Sequence, residues 1–194
     1  ADRNDILNKL YEYSNKISDN DNLLIYYAGH GALLSNNNAF WIPQDGTKKI
    51  SSNWLNTSDV NSAISLIKAK DLLVMVDSCY QGTAFKGNEK NIENEKIQSK
   101  DDEYFKKMVS YRSAVVITFG NNEIVVDALV DNHSPFAYKF LDILKKNDKF
   151  ETGTSLYSAI KMYHSNLSQS PNIIRKIDWH DLGGEFVFVK KNSQ

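Results

Sequence analysis

Hydrophobic positions follow two rhythms along this chain, one helical and one continuous. Over residues 2–17, Ile6, Leu7, Leu10, Tyr11 and Ile17 recur at the spacing of one helix face. Asp2 offers a side-chain oxygen to the unpaired first-turn amides, and Asp5 sits where the helix dipole favours an acid. The polar run Ser18–Asp21 ends that helix. Leu23-Leu24-Ile25-Tyr26-Tyr27-Ala28 is apolar without interruption, which predicts a fully buried strand of the parallel type. Gly29-His30-Gly31 breaks it. Ala32–Leu34 and Ala39–Ile42 flank Ser35-Asn36-Asn37-Asn38, the pattern of a hairpin with an Asn-rich turn. Ser58 or Asp59 can cap a helix that buries Val60, Ala63, Ile64 and Ile67. Leu72-Leu73-Val74-Met75-Val76 repeats the buried-strand pattern and ends at Asp77-Ser78-Cys79.

Lys86–Lys107 changes character. It is charged, rich in Asn and poor in apolar residues, and reads as a mobile loop with a short helix near its end. It divides one domain (1–194) into halves, 1–85 and 109–194, about a linker at 86–108. Beyond it Ser113–Thr118 is a third strand, rich in β-branched residues. Ser134-Pro135 opens a helix through Phe136, Phe140, Leu141 and Leu144, with Ser as cap and Pro at the first position. Ser155–Leu167 predicts another helix, and Glu185-Phe186-Val187-Phe188-Val189 a closing strand. Helices alternating with apolar strands predict an α/β sandwich around a mostly parallel sheet. Functional loops then lie beyond the carboxyl ends of the strands, where His30 and Cys79 both fall.

Composition narrows the classes. The 194 residues suit a single domain, and 41% hydrophobic content is enough for a core. Lys and Arg number 23 against 24 Asp and Glu, a net charge of -1, which excludes an electrostatic nucleic-acid binder. No apolar run approaches the roughly 20 residues of a membrane span. The opening Ala1-Asp2-Arg3-Asn4-Asp5 is no signal peptide, so a cytoplasmic domain is expected. A single cysteine excludes an internal disulfide and a cysteine-based zinc cluster.

That cysteine has a partner in the pattern. A thiol attacks a carbonyl carbon as thiolate, and a nearby imidazole is the usual way to generate one. Cys79 follows a strand and precedes Tyr80-Gln81-Gly82, where a turn exposes sulfur; His30 lies between two glycines, where backbone approaches a ligand closely. The amides of Gly31 and Cys79 could form an oxyanion hole, in which losing one donor typically costs about 10²–10³ in rate. Taken alone, Cys79 is an inert buried residue and His30 a loop histidine satisfied by backbone. Their joint placement at two strand ends, each near glycine, favours chemistry.

Tyr26-Tyr27-Ala28-Gly29-His30-Gly31, followed 49 residues after His30 by Cys79 in Asp77-Ser78-Cys79-Tyr80-Gln81-Gly82, resembles the caspase-like peptidases of family C14. The D-S-C-x-x-G form is closer to bacterial homologues and metacaspases than to the Q-A-C-x-G signature of caspases. Thr118-Phe119-Gly120-Asn121-Asn122-Glu123, the helix after His133-Ser134-Pro135-Phe136, and Gly183-Gly184-Glu185-Phe186-Val187-Phe188 resemble the small-subunit half, so the likeness runs nearly end to end. It implies a three-layer α/β/α sandwich and a cysteine endopeptidase that auto-processes, acting on protein or peptide substrates in bacterial stress or defence.

The resemblance also implies roles. Cys79 is the nucleophile, and His30 the general base or the acid that protonates the leaving amine. The Gly31 and Cys79 amides hold the oxyanion. Asp77 matches the acid of the first specificity pocket in metacaspases, which cut after Arg or Lys; the alternative is a loop-capping aspartate. Asp127 is a second pocket acid in competition with Glu123, or both belong to a solvated turn. Phe119 and Gly120 form a pocket wall or the edge to which a peptide adds as a strand. In such enzymes the segment between the halves is often cut, and Lys86, Lys90, Lys96, Lys100, Lys106 and Lys107 are candidate autoprocessing positions; the alternative is a surface insertion.

No cofactor is required on this reading. Asp101-Asp102-Glu103 could bind Ca²⁺, as in some metacaspases, or form a solvated charge run. The family's domain begins with further strands, so this chain reads as lacking its opening strands, with an amino-terminal fragment or flanking regulatory domain as partner. Missing strands would leave an apolar sheet edge open. The competing functions are a catalytically inactive caspase-like scaffold and a metal-dependent hydrolase using His30, His133, His164 and His180. The histidines show no metal-ligand spacing.

Overall fold

A computed structural model describes residues 1–34, 38–47, 51–78, 85, 89–91, 102–120, 131–165 and 171–191. Helix α1 (Arg3–Lys16) starts at a reciprocal capping box: Asp2 accepts from the Asp5 amide at 2.8 Å, and Asp5 from the Asp2 amide at 3.2 Å. Strand β1 (Asn22–Ala28) follows, then a small antiparallel sheet of β2 (His30–Leu33), β3 (Ala39–Ile42) and β4 (Leu55–Asn56). Helix α2 (Thr57–Ser65) is capped by Asn56, whose side chain accepts from the Ser58 amide at 2.8 Å. Next come β5 (Asp71–Asp77), β6 (Glu89–Asn91), α3 (Asp102–Ser110) and β7 (Ser113–Phe119). Helix α4 (Pro135–Lys146), β8 (Phe150–Thr152), α5 (Gly153–Tyr163), β9 (Asn172–Lys176) and β10 (Val187–Val189) complete the order.

The central sheet runs β1-β5-β7-β9-β6. β1, β5 and β7 are parallel, β9 is reversed, and β6 lies antiparallel to β9, so four of the five strands point one way. β5 and β7 are buried along their whole length because both faces are covered. Leu72, Val74, Val76, Ala114 and Val116 meet α1 and α2 through Leu10, Val60, Ala63 and Ile64. Leu73, Met75, Val115 and Ile117 meet α4 and α5 through Phe136, Phe140, Leu156 and Ile160. Each Val, Leu, Ile, Met or Phe among them contributes about 1.5–3 kcal/mol on burial. The architecture is the expected α/β/α sandwich.

Behind β9 lies a buried polar knot. Arg175 donates to the Gly184 carbonyl (2.7 Å) and to the Glu185 carboxylate (2.9 Å), and Asp181 sits 3.3 Å away. Asp181 accepts from the Ala114 amide (2.8 Å), and Glu185 from the Thr154 hydroxyl (2.6 Å). The run 181–185 is thereby tied to β7, β9 and α5.

Several expectations are corrected. β1 is parallel but not fully buried: its residues alternate exposed and half-buried, with Leu24 and Tyr26 each 36% exposed. The cause is position, since among the described residues β1 pairs only with β5. An apolar hollow of about 560 Å³ lies between this strand and α1, bordered by Leu10, Tyr13, Leu24 and Ile25. The cap of α2 is Asn56, not Ser58 or Asp59. The short helix expected near the end of the 86–107 stretch is α3, but the stretch also holds a strand that was not expected, β6. The closing strand is shorter than predicted and pairs with β8 in a separate two-stranded sheet.

Candidate active site

Parallel register brings three strand ends into line. Ala28 pairs with Asp77, and Asp77 with Phe119. The line continues one residue further, where the Gly29 amide donates to the Asp77 carbonyl and the Ser78 amide to the Phe119 carbonyl, each at 3.4 Å. His30 therefore leaves β1 two residues past its last pair, and Cys79 stands in sequence two residues past the last pair of β5. Cys79 itself lies outside the described residues, as do Asp127, Lys86, Lys96 and Lys100.

His30 is exposed and already belongs to β2, so the break in the chain is confined to Gly29. It opposes Ile42, and Gly31 opposes Trp41. The Tyr27 hydroxyl donates to the His30 carbonyl at 2.8 Å. Its ring lies flat on Trp41, with centroids 4.0 Å apart and planes 5° apart. Burial pushes the Tyr27 hydroxyl up to about 12, so it stays a donor. A Cβ on Gly29 would stand 2.8 Å from that hydroxyl oxygen. With the ring held by Trp41, glycine is what lets the chain turn past it.

Asp77 is 8% exposed, and one of its carboxylate oxygens accepts from two hydroxyls. Tyr26 donates at 3.0 Å, and Ser134 donates to the same oxygen. Ser134 also accepts from the Ala137 amide at 3.0 Å, capping α4 with Pro135 at its first position. Burial raises the Asp77 carboxyl above the ordinary aspartate range, and the two donors pull it partly back. Burial likewise raises the Tyr26 hydroxyl. Asp77 thus ties β1, β5 and α4 together at the sheet edge. Tyr26 and Ser134 were not anticipated as its partners. The available signals were the place of Tyr26 next to the strand end and the Ser-Pro helix start.

Phe119 is a core residue, 1% exposed, stacked on Phe136 at 5.3 Å and set against His164 at 4.6 Å. Gly120 turns at φ 112°, a conformation open mainly to glycine. His164 is fully buried, and burial lowers its pKa while a hydrogen bond to the Pro135 backbone partly restores it. Lys106 and Lys107 are exposed on α3, while Lys90 sits within β6 opposite Arg175. Lys106 and Lys107 are therefore helical rather than extended. Asp101 lies outside the described residues; Asp102 opens α3 and Glu103 follows it. Among the described residues no three His, Cys, Asp or Glu side chains converge as a metal site, and no helix is long and apolar enough to cross a membrane.

Two helical layers around a mostly parallel sheet, with a histidine and a cysteine following adjacent strands at one edge, define the caspase-like class of α/β fold. The profile of the caspase domain of peptidase family C14 matches residues 1–178, and the chain belongs to that family. It is a hydrolase family of the cysteine-peptidase type, whose substrates are proteins. No curated protein matches the sequence.

Proposed function

We propose that the chain is a cysteine endopeptidase that cleaves after Arg or Lys, with Cys79 as nucleophile and His30 as its acid–base partner. The observation that carries this reading is the register Ala28–Asp77, which sends the chain toward His30 and Cys79 from adjacent strands at the same edge. The Cys79 thiol passes its proton to the His30 imidazole, and the thiolate attacks the scissile carbonyl carbon. The amides of Gly31 and Cys79 donate hydrogen bonds to the developing oxyanion. Collapse breaks the C–N bond, and the imidazolium returns the proton to the departing amine. Water then hydrolyses the thioester and regenerates the thiol.

Asp77 is the acceptor for the basic side chain. Its second carboxylate oxygen takes neither the Tyr26 nor the Ser134 hydrogen bond, which supports this role. Phe119 and Gly120 back the site, with Asp127 as a second acid. The mechanism needs no cofactor; Ca²⁺ at Asp101, Asp102 and Glu103 would be regulatory. Among the described residues β1 pairs on one side only, and Leu24 and Tyr26 are exposed, which supports a partner strand from an amino-terminal fragment or flanking domain. The setting is cytoplasmic, in stress or defence, with autoprocessing at linker lysines.

The test is cleavage of fluorogenic peptides ending in Arg, Lys or Asp, with and without Ca²⁺, by the protein and by Cys79→Ala and His30→Ala. Turnover of Arg or Lys peptides that both variants abolish is expected. No turnover of any peptide under any condition would favour the inactive scaffold, and cleavage after Asp alone would remove the role given to Asp77.

A further inference from the structure

The hydrogen bonds that reach the Asp77 carboxylate from the described residues both end on one oxygen, Oδ2. Tyr26 comes from the neighbouring strand β1 and Ser134 from the start of α4, so that oxygen is gripped from two sides. A carboxylate oxygen offers about two lone-pair sites, and two hydroxyl protons fill them here. Oδ1 takes neither.

Both donors are held in place. The Tyr26 ring lies against Phe136 and Phe140, with centroids 6.4 and 6.0 Å away and planes inclined by 25° and 18°. Those two phenylalanines are buried residues of α4, so the helix that Ser134 caps also fixes the ring that carries the second hydroxyl. Ser134 is pinned in turn by the Ala137 amide at 3.0 Å, and its hydroxyl stands beside the Tyr26 oxygen. The chain arrives at it through Asp131 and Asn132, both left-handed at φ 50° and 62°. Such backbone is disfavoured outside glycine and persists where the surroundings determine it.

The number of open oxygens decides how a cation is recognised. A guanidinium presents two parallel N–H bonds, and it gains over an ammonium when both oxygens of a carboxylate receive them. An ammonium is a compact charge with rotatable donors, and one oxygen serves it. We propose that Tyr26 and Ser134 are specificity-determining positioning residues: by occupying Oδ2 they make Asp77 a single-oxygen acceptor, so the first substrate position takes Lys about as well as Arg. This rests on the role proposed for Asp77, and a binding measurement that needs no cleavage separates the two. Removing either hydroxyl opens a site on Oδ2. The carboxylate, soft about its last torsion, can then turn both oxygens toward a guanidinium.

The experiment compares the protein with Tyr26→Phe, Ser134→Ala, Asp77→Asn and Ser134→Thr, the last of which keeps the hydroxyl and the cap. Two ratios are read. One is kcat/KM for a pair of peptides that differ only in Arg or Lys at the cleaved position. The other is Kd for N-acetyl-arginine amide against N-acetyl-lysine amide, titrated by NMR. In the parent both ratios should lie within about threefold of unity. Tyr26→Phe and Ser134→Ala should move them toward Arg by about tenfold, the worth of one added charge-assisted hydrogen bond. Ser134→Thr should keep the parent's ratios. A merely structural role lowers activity on both peptides alike and leaves the ratio where it was. Tyr26→Phe, which retains the ring, decides the matter if loss of the cap unfolds Ser134→Ala. A parent that favours Arg more than tenfold, or ratios that neither variant moves, overturn the proposal and leave Asp77 as acceptor. Binding that Asp77→Asn does not weaken removes the role of Asp77 and the proposal with it. Amide ratios that move as expected while no peptide is cleaved sustain the proposal and count against the peptidase reading. Neither cleavage nor binding of either ligand overturns both.

Discussion

The hydroxyl of Tyr27 is held by the carbonyl of His30, three residues further along a chain that has turned back at Gly29. A strand residue thus braces the backbone of the candidate catalytic histidine. Tyr27→Phe keeps the stacking on Trp41 and removes the hydroxyl with its bonds to the His30 carbonyl and the Ile42 backbone, so it should destabilise the fold by about 1–2 kcal/mol. Peptidase activity should fall by more than that loss of folded protein explains. Gly29→Ala should do worse, since its Cβ takes the place of the hydroxyl. Denaturation curves beside kcat/KM for the two variants check both statements.

Asp77→Asn retains an oxygen that accepts from Tyr26 and Ser134 but loses the charge. Cleavage of Arg peptides should fall about 10²–10³-fold, the usual consequence of deleting one member of a desolvated charge pair. The fold should not suffer. The Asp77 carboxyl is raised by burial, so its stabilising contribution is complete at low pH and is lost as pH rises through the folded value. Asp77→Asn should therefore match or exceed the parent in stability at neutral pH, with the advantage shrinking on acidification. A variant that unfolds at neutral pH would show that the tie among β1, β5 and α4 needs the charge.

Asp71, at the start of β5, is 6% exposed; the Ser113 backbone hydrogen-bonds to it, and one carboxylate oxygen has no partner among the described residues. Burial pushes its carboxyl up to about 6. Its contribution is present below the ordinary aspartate range and is lost as pH rises through about 6. Asp71→Asn should stabilise the protein by about 1–3 kcal/mol above neutral pH and by nothing near pH 4. Urea denaturation at the two pH values tests the sign.

Arg175→Met removes the cation that, among the described residues, pairs with both Glu185 and Asp181 in the knot behind β9. Burial already raises both carboxyls. Leaving them uncompensated should cost about 3–5 kcal/mol. Replacing Thr154 with Val, which takes one hydroxyl from Glu185, should cost about 1–3 kcal/mol. Calorimetric melting of the two variants should rank them in that order.

Local rules explain what was legible in the sequence. The Asp2 and Ser134 caps, the buried strands at 72–76 and 113–118, and the positions of His30 and Cys79 after strands all follow from capping chemistry and apolar runs. Long-range pairing explains what was not. β9 reads Asn-Ile-Ile-Arg-Lys, and its two cations end up inside because Glu185, Asp181 and the Phe85 carbonyl come to meet them from elsewhere in the chain. Nothing at Phe85 announces that a lysine 91 residues on will serve its carbonyl. Likewise Leu23–Ala28 has the composition of an inner strand, and only the sheet order reveals that, among the described residues, it lies at an edge.

That edge makes the two halves of the candidate dyad unequal in time. Amides of β5 and β7, paired on both sides, should exchange with solvent only when the whole domain opens, whereas those of β1, which among the described residues pairs on one side, can be released by local fraying in the chain alone. The cysteine thus follows the slow part of the molecule and the histidine the fast part. Warming should dissolve their alignment before it dissolves the domain, so activity should decay at a temperature where circular dichroism still records a folded protein.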